Sequence, residues 1–282
     1  MDYQTDPLPP AWTEIELPKS WPDELRLLWP WDLWRFMRKA LLRRLNPVQL
    51  AEGLPLNVAL PKYILQEFHN LPNGNYSRMV SSGYSKGFDQ AMLGTLREER
   101  RLLAKTFKQC KSVLDVGCGG GHSTQALHEQ EITDVWGLDA SPYLLQHAAR
   151  RYPQLKFVQG LAEQTTFPAQ RFDGITACFV FHELPPKYAD AALIEFRRIL
   201  KPGGLIAFLE PAIEQLQERP WILFKKFGWR GIYFYILARF VHEPFVESWH
   251  KRNIPEWLDQ HGFELIMQET RYPTYHVVAR LR

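Results

Sequence analysis

The chain has 282 residues, 45% hydrophobic and 23% charged, with a formal net charge of +3. That is the composition of an ordinary soluble globular protein with room for one large domain or two small ones, and it is too mildly basic to imply nucleic acid by charge alone. Three cysteines, Cys110, Cys118 and Cys178, include no C-x-x-C pair, which argues against a disulfide framework or structural zinc site and fits a reducing cytoplasm.

In chain order, the first thirty residues are rich in Pro and Trp and lack the apolar centre of a secretory signal. They are predicted to lie as an irregular arm over other structure. From Trp31 to Leu45 the period is helical: Leu33, Trp34, Met37, Leu41 and Leu45 share one face, with Arg35, Arg38, Lys39 and Arg43 on the remainder. Arg44 breaks the stripe and Asn46-Pro47 ends it. Residues 53–90 carry Gly, Pro and Asn at short intervals and read as loops with short helices. No stretch approaches the ~18 apolar residues of a membrane span.

After Gln90 the pattern changes, which places a boundary between residues 1–89 (arm, amphipathic helix and lid) and residues 90–282. A helix over 91–108 precedes a strand at 112–116. Then come helix 123–130, strand 134–138, helix 142–152, strand 156–159, strand 174–180, helix 187–200 and strand 204–210. This alternation predicts right-handed βαβ units and a parallel sheet covered on both faces. Residues 211–252 interrupt the rhythm as an insertion. Helix 253–261 and strands 263–270 and 274–281 complete the chain. The last two strands are joined by only a few residues around Pro273, which permits an antiparallel pair and forbids a parallel crossover. The expected fold class is α/β: a Rossmann-like, doubly wound, mostly parallel seven-stranded sheet with one reversed strand near the C-terminus.

The densest local motif is Lys111–Ser123, KSVLDVGCGGGHS. Gly117, Gly119, Gly120 and Gly121 lie just beyond the first strand, where open α/β sheets bind ligands. A bare strand-to-helix turn is the plainer reading. A nicotinamide loop asks for G-x-G-x-x-G, but the last position holds His122; a nucleoside triphosphate loop asks for Lys and Ser/Thr at a spacing that is missing. Asp115 precedes the glycines instead of a basic residue, so a cationic or neutral ligand is expected rather than a polyphosphate. Asp139 ends the next strand about 20 residues on, where an acid accepts hydrogen bonds from ribose hydroxyls; the alternative is an N-cap to the helix opened by Ser141-Pro142.

Four runs in order, LDVGCGGG, GLDAS, RFDGITACFVFHEL and RILKPGGLIAFLEP, resemble the successive motifs of class I S-adenosylmethionine-dependent methyltransferases, over roughly residues 90–282. They look most similar to the quinone-methylating branch. The resemblance implies S-adenosyl-L-methionine as cofactor. The turn of Gly117, Gly119 and Gly121 would approach its amino-acid moiety, Asp115 would help hold the ammonium end, often through water, and Asp139 with Ala140 would take the ribose. In such enzymes the third strand often precedes Gly-Asp-Ala, whose acid reads adenine. Here Gly160-Leu161-Ala162-Glu163 departs from that pattern, leaving Glu163, or backbone groups at Ala162 and Glu163, to do so. Tyr84 resembles the aromatic residue that related enzymes fold over the cofactor, where its face would favour a sulfonium by about 0.5–2 kcal/mol; packing under the lid is the alternative. His69 and Tyr76 are weaker candidates for the same lid.

At the end of the fourth strand, Phe179 joins the cofactor-site candidates. The run Phe179–Leu184 lacks the D/N-P-P-Y pattern of enzymes that methylate amino groups. His182 is the catalytic candidate, a general base for a hydroxyl, with shaping of the pocket as the alternative; an acidic phenol or stabilised carbanion would need little base. Glu183 reads as structural. No histidine pair shows metal-ligand spacing, so no metal is expected.

The 211–252 insertion is predicted to wall the acceptor pocket with Trp221, Phe224, Phe227, Trp229, Tyr233, Phe234 and Tyr235, suiting a lipophilic or aromatic acceptor. Lys225, Lys226, Arg230 and Arg239, with the 31–45 helix, suggest peripheral membrane contact of a cytoplasmic protein; packing of that helix onto the lid is the alternative. The leading expectation is C- or O-methylation of a small hydrophobic molecule, with no nucleic acid. A non-catalytic cofactor-binding protein is the competing class, and RNA or protein methylation a third.

Overall fold

The computed structural model describes residues 3–41, 46–241 and 243–282. In chain order the helices and strands are α1 (Pro30–Leu41), α2 (Arg78–Ala91), α3 (Thr95–Lys105), β1 (Ser112–Val116), α4 (His122–His128), β2 (Asp134–Asp139), α5 (Pro142–Arg151), β3 (Lys156–Gln159), β4 (Phe172–Cys178), α6 (Pro186–Ile199) and β5 (Leu200–Pro211). They continue with α7 (Glu214–Gln217), α8 (Pro220–Phe227), α9 (Trp229–Phe240), α10 (Val246–His250), α11 (Ile254–Gln260), β6 (Phe263–Arg271) and β7 (Thr274–Leu281).

The seven strands form one sheet in the order β3-β2-β1-β4-β5-β7-β6. The first five pair in parallel, and β7 runs antiparallel to both β5 and β6. This is the expected Rossmann-like sheet with one reversed strand. Strand order turns at β1/β4, which places a crevice beyond Val116 and Cys178. β1 is buried on both faces, as a central parallel strand with helices on either side must be. Side chains such as Phe167, Phe181, Phe196 and Phe208 fill one layer, and Leu96, Phe107, Val113 and Leu127 the other.

The N-terminal arm is tied down along the β3 edge. Trp12 donates its indole N–H to the Phe157 carbonyl at 2.9 Å, and the Tyr143 hydroxyl donates to Pro18 O at 2.9 Å. Asp23 accepts the backbone N–H groups of Arg78 and Met79 at 3.0 and 2.7 Å, placing a carboxylate on the exposed donors at the start of α2, where helices favour negative charge. The sequence reading missed α2 as a continuous helix, because Gly83 and Gly87 lie inside it. Part of the reason it forms is that capping from a distant segment. The helix expected over 91–108 is shorter, since Gly94 in a left-handed conformation (φ 70°) separates α2 from α3. The expected helix 31–45 is described to Leu41; Arg43, Arg44 and Leu45 lie outside the described residues.

Candidate functional site

The glycine turn is fastened to the end of β2. Gly119 donates its N–H to Asp139 Oδ2 at 2.9 Å, and Ser141 N–H donates to Asp139 Oδ1 at 2.8 Å. Ser141, not Asp139, caps α5, its hydroxyl accepting from Leu144 N–H at 3.3 Å. Each carboxylate oxygen of Asp139 therefore keeps acceptor capacity for a ligand. Burial raises its pKa to about 6, against the lowering effect of the Ser141 and Gly119 N–H groups.

Not every glycine here is kept small for a ligand. A Cβ on Gly117 would lie 2.4 Å from Val180 Cγ2, and one on Gly120 2.1 Å from Ser85 Oγ. Those two make room for the β4 terminus and for α2. Gly121 starts α4 and would press on Phe157 and Tyr152; it does not line the cavity. Gly119 (φ 51°) is different: nothing lies within 4 Å of where its Cβ would be, and it borders the cavity. Its backbone is the open part of the cradle.

That cavity is also lined by Tyr84, Gly117, Asp139, Ala140, Ala162 and Phe179, so seven of the eleven predicted site residues border one space. Asp115, Glu163 and His182 join Gly121 outside its lining. Asp115 is fully buried; its Oδ2 accepts the Ser123 and Thr124 hydroxyls at 2.6 Å each, while Oδ1 has no partner. Burial raises its pKa to about 6 despite those hydroxyls. Glu163 does not reach the cavity either. It accepts the Tyr63 hydroxyl at 2.9 and 3.0 Å, and Tyr63 is the residue that lines the wall. Arg100 of α3 escaped notice in the sequence; it borders the cavity while its Nη1 holds Asp89 at 2.7 Å.

His182, the predicted base, is buried and paired with carboxylates. It is 0% exposed and absent from the linings of both cavities described here. Its Nδ1 meets Glu210 Oε2 at 2.5 Å and its Nε2 faces Glu243 Oε1 at 3.5 Å. Burial alone would lower its pKa, but the Glu243 and Glu210 carboxylates outweigh that and hold it well above the ordinary imidazole value. His69 is lowered by burial yet raised to about 9 by Glu183 and Glu243, its Nε2 lying 3.0 and 3.6 Å from them. Although no histidine pair had ligand spacing along the chain, His69, His182 and Glu183 converge in space.

Above the first cavity His69, Tyr84 and Phe88 form a stacked column, with ring centroids 5.8 and 5.2 Å apart, and Phe88 meets Phe179 edge-on at 5.6 Å. These four residues and Leu71 also line a second cavity, whose remaining wall is mostly aliphatic: Ala91, Met92, Leu216, Leu237, Ala238, Val241 and Val246. The aromatic wall expected from the insertion is absent there. Trp221, Phe224 and Trp229 are about 60% exposed on the outside, Phe234 is buried in the core, and Tyr233 donates to Ala91 O. None of those aromatics, nor Phe227 or Tyr235, lines the second cavity. The helical period of α8 and α9 turns aliphatic Leu237 inward and sends the larger rings outward.

Comparison with known proteins fits this geometry. Residues 113–204 match the family model described as a methyltransferase domain. The chain is 40% identical over 100 residues to an uncharacterized methyltransferase of Synechocystis, covering 36% of this chain and 47% of that protein. It is 35% identical over 103 residues to a demethylmenaquinone methyltransferase of Chlorobaculum parvum, covering 36% and 41% respectively. The chain thus spans about half the length of these curated relatives or less. Among solved structures, human N-acetylserotonin methyltransferase in complex with S-adenosylmethionine shares the fold, with a TM-score of 0.54 at 16% identity, covering 73% of this chain and 56% of that one.

Proposed function

We propose, from the premise that residues 113–204 form a methyltransferase domain, that the chain transfers a methyl group from S-adenosylmethionine to carbon or oxygen of a small lipophilic acceptor. The observation that carries this reading is the pair of cavities sharing the His69–Tyr84–Phe88–Phe179 wall, one the more polar and bordered by Gly119 and Asp139, the other mostly aliphatic. When bound, the cofactor supplies an electrophilic methyl on a sulfonium, attacked in line by the acceptor.

The residues present fit that cofactor. Gly119 leaves open space, Asp139 keeps lone pairs for ribose hydroxyls, and the orphan Oδ1 of Asp115 lies behind the turn, where a bridging water could link it to an ammonium group. Arg100 offers a cation for the carboxylate. The Tyr63 ring and the backbone at Leu161 and Ala162 border the same space at the β3 end and suit a purine. Tyr84 and Phe88 keep water from the junction, so orientation and desolvation carry the rate acceleration rather than a histidine base.

The second cavity favours an apolar acceptor, and the outer surface suggests where it arrives. Trp31, Leu33, Trp34 and Met37 of α1 are 44–64% exposed. α1 contacts the turn Phe68–Asn70, and Asn70 donates to the Phe240 carbonyl at the end of α9. Trp221, Phe224 and Trp229 with Lys225, Lys226 and Arg230 form an exposed aromatic and basic surface on α8 and α9. Such a combination suits an anionic bilayer interface. Among the described residues no helix is long and apolar enough to cross a membrane.

Incubation with methyl-labelled cofactor and a lipid extract tests the reading: label is expected in an extractable neutral product. Tight calorimetric binding of S-adenosylhomocysteine with no labelled product from any extract would instead mark a non-catalytic binding protein.

A further inference from the structure

The junction of the two cavities holds side chains that methyl transfer alone leaves unemployed. His69 stands in the turn Phe68–Asn70 with a left-handed backbone, φ 56°, a conformation that a non-glycine residue keeps when its surroundings over-determine it. Its Nε2 lies 3.0 Å from Glu183 Oε1 and 3.6 Å from Glu243 Oε1. His182 Nε2 lies 3.5 Å from that same Glu243 oxygen and makes no hydrogen bond, although its side chain is only 1% exposed. Donor atoms of His69, His182 and Glu183 all fall within 4.8 Å of one another. The four residues come from three segments far apart in sequence.

Two features set this group apart from an ordinary buried ion-pair network. The first is spacing. Ligand atoms about 2.0–2.2 Å from one tetrahedral ion stand roughly 3–3.6 Å apart; His69 Nε2 and Glu183 Oε1 are 3.0 Å apart, and the donor atoms of His69, His182 and Glu183 all lie within 4.8 Å of one another. The second is the support behind His182. Its Nδ1 meets Glu210 Oε2 at 2.5 Å, and Glu210 is itself held by the backbone N–H groups of Val180, Phe181 and His182 at 3.1, 2.9 and 3.3 Å. A carboxylate on the far nitrogen fixes tautomer and ring orientation in metal-ligating histidines, here leaving Nε2 aimed at Glu243. A purely structural pair would be expected to satisfy that buried nitrogen with a hydrogen bond.

We propose that His69, His182 through Nε2, and Glu183 form a three-ligand site for one divalent transition-metal ion, its fourth position open, with Glu210 as the positioning residue for His182. Two imidazoles with one carboxylate suit zinc, cobalt, iron or manganese better than magnesium or calcium, which take oxygen ligands. On binding, the protons on the two Nε2 atoms pass to solvent and the ion's two charges replace theirs. His69 borders both cavities and Glu183 the first, so the ion stands where they meet. There its open position would take an acceptor's hydroxyl or carbonyl oxygen and make the hydroxyl more acidic, without a free histidine base. That last step rests on the methyl-transfer reading; the binding of the ion does not.

The test titrates the metal-stripped full-length protein with Co²⁺, followed by visible d–d absorption, then displaces it with Zn²⁺ and counts bound metal by atomic emission. One equivalent is expected, with bands lost on Zn²⁺ addition. His69→Gln and Glu183→Gln should each weaken Co²⁺ by about 30-fold or more, and Glu210→Gln by about 10–100-fold as an outer partner. His128→Gln, on an exposed helix end, should not change it. Cooperative thermal unfolding of each variant confirms that it folds. Asp139→Ala should lose S-adenosylhomocysteine while keeping Co²⁺. Absence of stoichiometric Co²⁺ binding, or binding indifferent to both His69→Gln and Glu183→Gln, overturns the site. Retained Co²⁺ in a wild-type protein that never binds S-adenosylhomocysteine would leave the site standing and sink the methyl-transfer reading instead.

Discussion

The two cavities share a wall but are built in opposite ways. One side of the first is backbone from the β1–α4 turn and the end of β2, joined by the Gly119 N–H to Asp139, while distant segments bring Tyr63, Tyr84 and Arg100 to the rest. The second is made by side chains from α2, the β4 terminus and the 211–252 insertion, with its polar groups at His69, Glu243 and His250. A cradle of backbone tolerates little change at its few positions. A wall of Leu216, Leu237, Ala238 and Val241 can be reshaped one residue at a time. The contrast suits a fold in which cofactor binding is kept while acceptor choice varies.

The comparison breaks most directly at Asp139. Asp139→Ala removes the acceptor of two N–H groups and the proposed ribose contact, each charge-assisted bond being worth about 1.5–3 kcal/mol. S-adenosylhomocysteine affinity by calorimetry should fall about 100-fold. An unchanged affinity would mean the ligand does not sit where Gly119 and Asp139 meet.

A smaller but cleaner effect is expected at Gly117. Gly117→Ala meets Val180 Cγ2 at 2.4 Å in a backbone with φ 67°, so urea unfolding should show a loss of about 2–4 kcal/mol from overpacking and left-handed strain together. Adding Val180→Ala should recover only the packing share, since the backbone conformation remains. Full recovery would show that this glycine serves side-chain room alone.

The second cavity is probed by Ala238→Trp, which fills it from α9. Turnover with the lipid extract should drop at least about tenfold while S-adenosylhomocysteine affinity stays within about twofold, the split expected when only acceptor binding is lost. Loss of both would mean that the cavities are not separable.

The smallest effect concerns pH. Asp115 and Asp139 are raised by burial to about 6 from a carboxylate's ordinary value. Between about pH 4 and 6 the folded protein keeps protons that the unfolded chain has lost, so these groups favour folding more as pH falls and cost stability above pH 6. Affinity for the cationic cofactor should follow the opposite course and weaken below pH 6. Asp115→Asn keeps an oxygen for Ser123 and Thr124 but removes the buried charge. The ligand-free protein should melt about 2–4 °C higher at pH 7, with a flatter pH profile of cofactor affinity.

The sheet, its reversed strand and the Gly119–Asp139 cradle were legible because each rests on residues close in sequence, where periodicity, glycine and an acid at a strand end carry local physics. Roles resting on one side chain's surroundings were less legible. Asp115 and Glu163 have partners, Thr124 and Tyr63, that turn them away from the cavity wall. α2 was hidden because Gly83 and Gly87 lie inside it, and besides its local cap Ser77 it draws on Asp23, 55 residues away. His182 looked like a base because it follows β4, but nothing nearby in sequence announces Glu210 or Glu243.

What the amino-acid sequence determined by itself is the order and direction of the strands and the glycine turn at their switch point, since hydrophobic period and turn chemistry act over a few residues. What only the tertiary structure decided is which titratable groups share a buried space. Burial and Coulomb interaction depend on distance in three dimensions, and His69, His182, Glu210 and Glu243 become neighbours only when the lid and the insertion close over the sheet.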